Sequence, residues 1–152
     1  MAAHQNNLWT MCRLGDLQMA RELILAGADP NTRGGHDNKT CLMEATIGNH
    51  EKLVDLLLEA PSIEVNAKNN NSTALHFACY TGNIAILSKL LAVPGILVNE
   101  RDSNGRTPIM SATKPEAVLV MAASEDVDLD VRSRNGRSLE DLAHRRAKYD
   151  KC

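Results

Sequence analysis

The residues in this 152-residue chain best suited to metal or catalytic chemistry are five histidines, four cysteines and a run of carboxylates. Tetrahedral zinc needs thiolates or imidazoles in closely spaced pairs. His4, His36, His50, His76 and His144 form no such pair with one another or with a cysteine. Cys12, Cys41, Cys79 and Cys152 stand 29, 38 and 73 residues apart, with no C-x-x-C. Glu125, Asp126, Asp128 and Asp130 lack the central glycine and distal glutamate of a calcium loop and read as a solvated turn. Gly34–Gly35 follows no strand pattern and precedes no G-K-[ST], so it is a loop doublet and not a phosphate cradle. No G-x-S-x-G and no Cys/His nucleophile context appears. The residues therefore predict no catalytic site, no metal and no cofactor.

Composition narrows the classes further. Charged residues make up 24% and apolar residues 43%, a globular and not a disordered balance. Aromatics are 3%, so the core must be built from Leu, Ile, Val, Ala and Met. A net charge of −2 argues against a generally basic nucleic-acid binder. The longest uncharged apolar stretch, Ala117 to Ala123, has seven residues, far below the ~20 of a membrane span. Met1-Ala-Ala-His-Gln-Asn-Asn7 has no basic flank or apolar core of a secretory signal. The cysteines thus read as reduced thiols, several of them buried. A cytoplasmic or nuclear monomer away from membranes is expected.

What must position any functional residue is a repeat. Thr40-Cys-Leu-Met-Glu-Ala45, Thr73-Ala-Leu-His-Phe-Ala78 and Thr107-Pro-Ile-Met-Ser-Ala112 share one pattern, their threonines 33 and 34 residues apart. Ser138-Leu-Glu-Asp-Leu-Ala143 continues it 31 residues later. A second motif recurs between these: Gly27-Ala-Asp-Pro-Asn31, Ile63-Glu-Val-Asn66, Ile96-Leu-Val-Asn99 and, weakened, Val127-Asp-Leu-Asp130. The hydroxyls sit where they can cap a helix, and Pro108 suits the first helical position. Leu53/Val54/Leu57/Leu58 and Ile86/Leu87/Leu90/Leu91 give second helices an apolar face that only a neighbouring unit can cover. Departures fall at an extra residue near Gly34–Gly35, one missing near Asn69–Asn71, and about three missing between Ala112 and Val118. There Pro115 predicts that the preceding helix ends at Lys114.

This pattern resembles the ankyrin repeat, in which a tight turn and two antiparallel helices recur about every 33 residues. The match covers about residues 8–147. The resemblance implies an all-α solenoid of helix-turn-helix units with short finger turns, forming one domain over 1–152. Repeats fall at about 4–33, 34–68, 69–101 and 102–132, with a C-terminal cap at 133–150.

The resemblance also implies a non-catalytic protein–protein interaction module, an adaptor or scaffold. The alternative is a small inhibitor that occludes an enzyme or transcription factor. Partner contacts in such arrays come from a concave side made of fingers and first helices. Here the fingers, at 31–39, 67–72, 100–106 and 131–137, hold Arg33, Lys39, Lys68, Arg101, Arg106, Arg132, Arg134 and Arg137. Only Asp37, Glu100 and Asp102 oppose these eight, while the rest of the chain carries nine basic and sixteen acidic residues. Arg145 joins them from a first-helix position, with Ile47, Tyr80 and Thr81 in the middle. The charge segregation predicts an acidic segment on the partner. A phosphate backbone fits less well, because Tyr80 is the one aromatic present for base stacking. His76 reads as a turn-to-turn hydrogen bond and Trp9 as a cover for the end of the stack. Finally, Val-Asn asparagines of this family are targets of an asparaginyl hydroxylase favouring Leu at −8 and an acid at −2. Asn66 matches fully through Leu58 and Glu64, and Asn99 in part, with Leu91 but Leu97 in place of the acid.

Overall fold

Short runs of Ala and large apolar residues, several of them preceded by a capping side chain, fold into pairs of short helices. The computed structural model describes residues 7–142. In chain order these are α1 (Leu8–Leu14), α2 (Leu17–Leu25), a two-residue hairpin of β1 (Arg33–Gly34) with β2 (Lys39–Thr40), α3 (Cys41–Ile47), α4 (Glu51–Leu58), α5 (Ala74–Thr81), α6 (Ile84–Leu91), α7 (Pro108–Ser111) and α8 (Pro115–Ala122). The result is an all-α stack: α1, α3, α5 and α7 pack side by side in one layer, and α2, α4, α6 and α8 in a second. The longest helix among the described residues has nine residues, below the ~12–15 at which isolated helices hold in water, so packing must supply the stability.

Side-chain caps open several helices, among them the predicted Thr40 and, at α1, Asn7, which the sequence reading did not single out. Asn7 Oδ1 accepts the Thr10 N–H at 2.8 Å, and Thr40 Oγ1 accepts that of Met43 at 3.2 Å. The turns between paired helices use Gly15, Asn49 and Gly82 in the left-handed region, with φ of 80, 57 and 65°. Ala45, Ala78 and Ala112 are fully buried where first helices touch. Leu53, Val54 and Leu57, then Ile86, Leu87 and Leu90, fill the space between layers. At the C-terminal end, Ser138 and Asp141 exchange capping hydrogen bonds, and Leu139 and Leu142 are half-buried. The polar stretch from Ala143 onward lies outside the described residues, as do the outer limits of the first repeat and the cap.

The fourth unit departs from expectation. α7 ends at Ser111, not at Lys114, because Ala112 already turns extended (ψ 128°). The residues so released are used. Thr113 donates its N–H to Cys79 O (3.3 Å) and its hydroxyl to Tyr80 O (2.7 Å), satisfying carbonyls at the C-terminal end of α5. Lys114 is extended, as a residue before proline must be, and Pro115 opens α8. Thr107 keeps the capping residue type, but its buried Oγ1 has no hydrogen-bond partner among the described residues.

The glycine doublet also finds its reason. The Trp9 ring packs on Gly34 and Gly35 of the first finger, and the Arg13 guanidinium lies 5.4 Å from its centroid. A Cβ at Gly34 would overlap the indole. Gly34→Ala is therefore expected to cost ~1–3 kcal/mol through overpacking. Chemical denaturation checks this, and the cost should shrink when Trp9→Ala is combined with it.

Candidate partner-binding face

Two ladders of polar side chains, both repeated along the stack, hold the loops in position. In the first, an asparagine staples its own turn to the next. Asn31 donates Nδ2–H to Ser62 O (2.7 Å) and accepts Glu64 N–H on Oδ1 (2.8 Å). Asn66 does the same with Gly95 O (2.8 Å) and Leu97 N (2.9 Å). Asn99 repeats it with Asp126 O (2.7 Å) and Asp128 N (2.9 Å). Both ends of each amide are thus engaged, which places Asn66 and Asn99 in an internal task. Asp130, next in the series, has no amide donor to continue it.

The second ladder lies two residues further on, at Arg33, Lys68, Arg101 and Arg132. Arg33 donates to Asn38 O in its own finger (3.3 Å) and to Lys68 O in the next (3.0 Å). Arg101 likewise reaches Gly105 O (2.8 Å) and Arg132 O (2.7 Å). Arg132 donates to Gly136 O at 3.0 Å. Lys68 is instead ion-paired with Glu100, and Lys39 with Asp37 at 2.6 Å. Arg106 pairs with Asp102 at 2.7 Å. Of the eight basic finger residues, six therefore brace fingers or are neutralised. Arg134 and Arg137 occupy the fourth finger, against the third through an Arg134 N–H to Asn104 O bond of 2.9 Å. Arg145 lies outside the described residues.

The middle of this face opens into a recess of about 450 Å³. Ile47 of α3 and Phe77, Tyr80 and Thr81 of α5 form its walls, with Ser72 from one finger and Asp102 and Arg106 from the next. His76 and Ser111 complete the lining. The structure thus brings together four residues singled out from sequence, Ile47, Tyr80, Thr81 and Arg106. Tyr80 is 65% exposed, an aromatic edge presented to solvent. Sequence reasoning missed Phe77, Ser72 and Asp102. The position of Phe77, three residues before Tyr80 on one helix face, was the available signal.

Asp102 organises one side of the recess. Its side chain is 5% exposed, and its Oδ1 accepts the N–H groups of Asn104 (2.8 Å) and Arg106 (2.9 Å) while Oδ2 takes the guanidinium. Burial pushes this carboxyl upward, but the hydrogen bonds and the charge of Arg106 outweigh it and hold it below the usual range. His76 spans two units. Thr73 donates its N–H to Nδ1 (3.1 Å), and Nε2 lies 3.0 Å from Arg106 O, so the partners require the neutral ring with its proton on Nε2. Burial lowers its affinity for a second proton, against a weaker opposing pull from the Arg106 carbonyl and Asp102. Cys12, Cys41 and Cys79 are all buried. Contact with the Cys12 thiol and burial raise the pKa of Cys41, and burial pushes that of Cys79 up to about 12. Such thiols are packing groups and not nucleophiles. Among the described residues, no three His, Cys, Asp or Glu converge to hold a metal, and no helix is long and apolar enough to cross a membrane.

The ankyrin-repeat family model, in its three-copy form, matches residues 8–102 and 64–135. The chain belongs to the ankyrin repeat family. Repeats of this kind are in general protein–protein interaction modules and typically non-catalytic. No curated protein matches the chain in a sequence search.

Two outcomes follow from the polar ladders and His76. Asn66→Ala removes two hydrogen bonds and leaves Gly95 O and Leu97 N without them; a loss of about 1–3 kcal/mol is expected in urea unfolding. For His76, the unfolded imidazole takes up its proton near 6.5 and the folded one only at lower pH. The unfolded state therefore binds more protons in between, so the contribution of His76 is complete above that value and declines as the pH falls through it. Stability measured from about pH 7 to about pH 5 should fall more steeply in the native chain than in His76→Gln.

Proposed function

We propose that this chain is a non-catalytic binding module that holds a segment of a partner protein along its finger and first-helix face. The segment places one large apolar side chain in the recess between α3, α5 and α7 and acidic residues against the fourth finger. The observation that carries this reading is the recess itself: an apolar wall of Ile47, Phe77 and Tyr80 beside the half-exposed Arg106, at the centre of a face edged by Arg134 and Arg137. Aromatic and arginine side chains around a central pocket are the usual anchors of protein interfaces. A prebuilt stack loses little ordering entropy on binding. Steering by the basic fingers raises the encounter rate with an acidic chain.

Residues that brace the fold are poor probes of this idea, because reversing Arg101 or Arg106 also breaks finger contacts. Arg134→Glu with Arg137→Glu, and separately Tyr80→Asp, leave those contacts in place. A displayed library of random short peptides, selected on the full chain, is expected to enrich sequences joining a Leu, Met or aromatic residue to Asp or Glu. Their binding should weaken with salt and fall about tenfold or more in either variant. Enrichment of peptides without acidic residues, or affinities indifferent to both variants, would overturn the reading.

A further inference from the structure

The third and fourth fingers carry the same dipeptide at the same place, Asn104–Gly105 and Asn135–Gly136, each followed by an arginine. Both asparagines are exposed, and both glycines are left-handed, with φ of 70 and 72°. An asparagine before glycine can react with its own backbone, because no Cβ shields the next nitrogen. The glycine N attacks the asparagine Cγ, forming a C–N bond and closing a five-membered imide. The bond from Cγ to the side-chain nitrogen breaks, and ammonia leaves with the proton that the attacking nitrogen loses. Water then opens the ring at either carbonyl, giving aspartate or isoaspartate. One water is consumed, one ammonia is released, and nothing is oxidised or reduced.

Ring closure requires the tip to leave its turn conformation, so its rate follows how often the finger opens. Here the two fingers differ. Asp102 locks the third: its carboxylate accepts the N–H groups of Asn104 and Arg106 and the Arg106 guanidinium, at 2.8, 2.9 and 2.9 Å. The fourth finger also clamps the third from outside, since Asn104 O accepts the Arg134 N–H and the backbone N of Arg134 lies 2.8 Å from where a Cβ on Gly105 would stand. In the fourth finger Ser133 takes the place of Asp102. Its neutral Oγ accepts the Arg137 N–H at a longer 3.2 Å, and beyond its own chain neighbours no described atom lies within 4 Å of a Cβ built on Gly136. The backbone closure is otherwise alike, with Gly105 N–H on Asp102 O at 2.9 Å and Gly136 N–H on Ser133 O at 2.8 Å.

We infer that the Asn135–Gly136 tip is a self-modifying site, which deamidates faster than the matched Asn104–Gly105 tip and places a carboxylate between Arg134 and Arg137. The fourth finger holds three arginines and no acid, so one event removes a third of its charge. Isoaspartate also lengthens the backbone at the tip. This step needs only water and stands whether or not the face binds an acidic segment.

The test is incubation of the purified full chain at physiological pH and temperature, with peptide mass spectrometry following amide-to-acid conversion at each asparagine. Asn135 is expected to convert about tenfold faster than Asn104, the worth of one charge-assisted hydrogen bond. Ser133→Asp should install the missing lock and bring Asn135 down towards the rate of Asn104. In unstructured peptides carrying each sequence the two rates should converge. Equal rates in the folded chain, a faster Asn104, an unchanged rate in Ser133→Asp, or the same ratio in the peptides would each overturn the inference.

Discussion

A pair of seven- to nine-residue helices exposes more apolar surface than it can cover, and each unit of this chain depends on the next to finish burying it. The helix positions show this directly. α4 and α6, with neighbours on both sides, bury three large side chains each, whereas α2, at the beginning of the described stack, fully buries only Ala20. The polar ladders follow from the same dependence. Stacking fixes the distance between successive loops, and at that distance one asparagine amide can donate to one backbone group and accept from another in the following unit. Backbone groups that a short helix or turn cannot satisfy alone are thereby paired between units.

The fourth unit shows how much irregularity this arrangement absorbs. α7 has four residues, about one turn, and Thr107 makes no side-chain cap. Yet Ile109, Met110 and Ala112 remain fully buried, because the position of the chain is set by packing on α5 and α8 and not by the helix's own length. Thr113 turns the deletion into a cap for α5. Beyond it Asn99 still staples the turn after α8, and Arg101 together with the Arg134 N–H holds the fourth finger to the third, whereas Asp130, next in the series, has no N–H to donate onward. Among the described residues the fourth finger is thus braced from the third finger's side, and the surroundings of Gly136 stay open.

Much of this was legible in the residues. Helix starts, turn glycines, the left-handed Asn49 and the buried alanines follow from period and side-chain type, because each is decided within a few residues. The end of α7 was misplaced by three positions: Pro115 forbids helix at Lys114, but the hydroxyl of Thr113 found better acceptors on α5. The roles of Arg33, Arg101 and Arg132 were not legible either. An arginine in an exposed turn has the same local sequence whether its guanidinium meets solvent or a carbonyl about 31–35 residues away. The Trp9 contact with Gly34–Gly35 was hidden for the same reason, although an unexplained glycine doublet beside a lone tryptophan was the signal.

The consequence for function is that charge counted from sequence and charge available to a partner are different quantities. Guanidinium groups that donate to backbone carbonyls keep their full positive charge, because a carbonyl carries a dipole and no counter-charge. Arg33, Arg101 and Arg132 thus still contribute to the long-range field of the fingers, while their forks are partly committed. Lys39, Lys68 and Arg106 are the reverse case: their ion pairs cancel most of the field beyond a Debye length, though Arg106 remains beside the recess as a short-range donor. Under the proposed reading, steering would be spread over the row of fingers, and grip would fall to Arg134, Arg137 and the apolar recess. Three of the five finger cations left without an ion pair among the described residues, Arg132, Arg134 and Arg137, lie in the fourth finger, so under the proposed reading a change of charge there acts on steering as well as on grip.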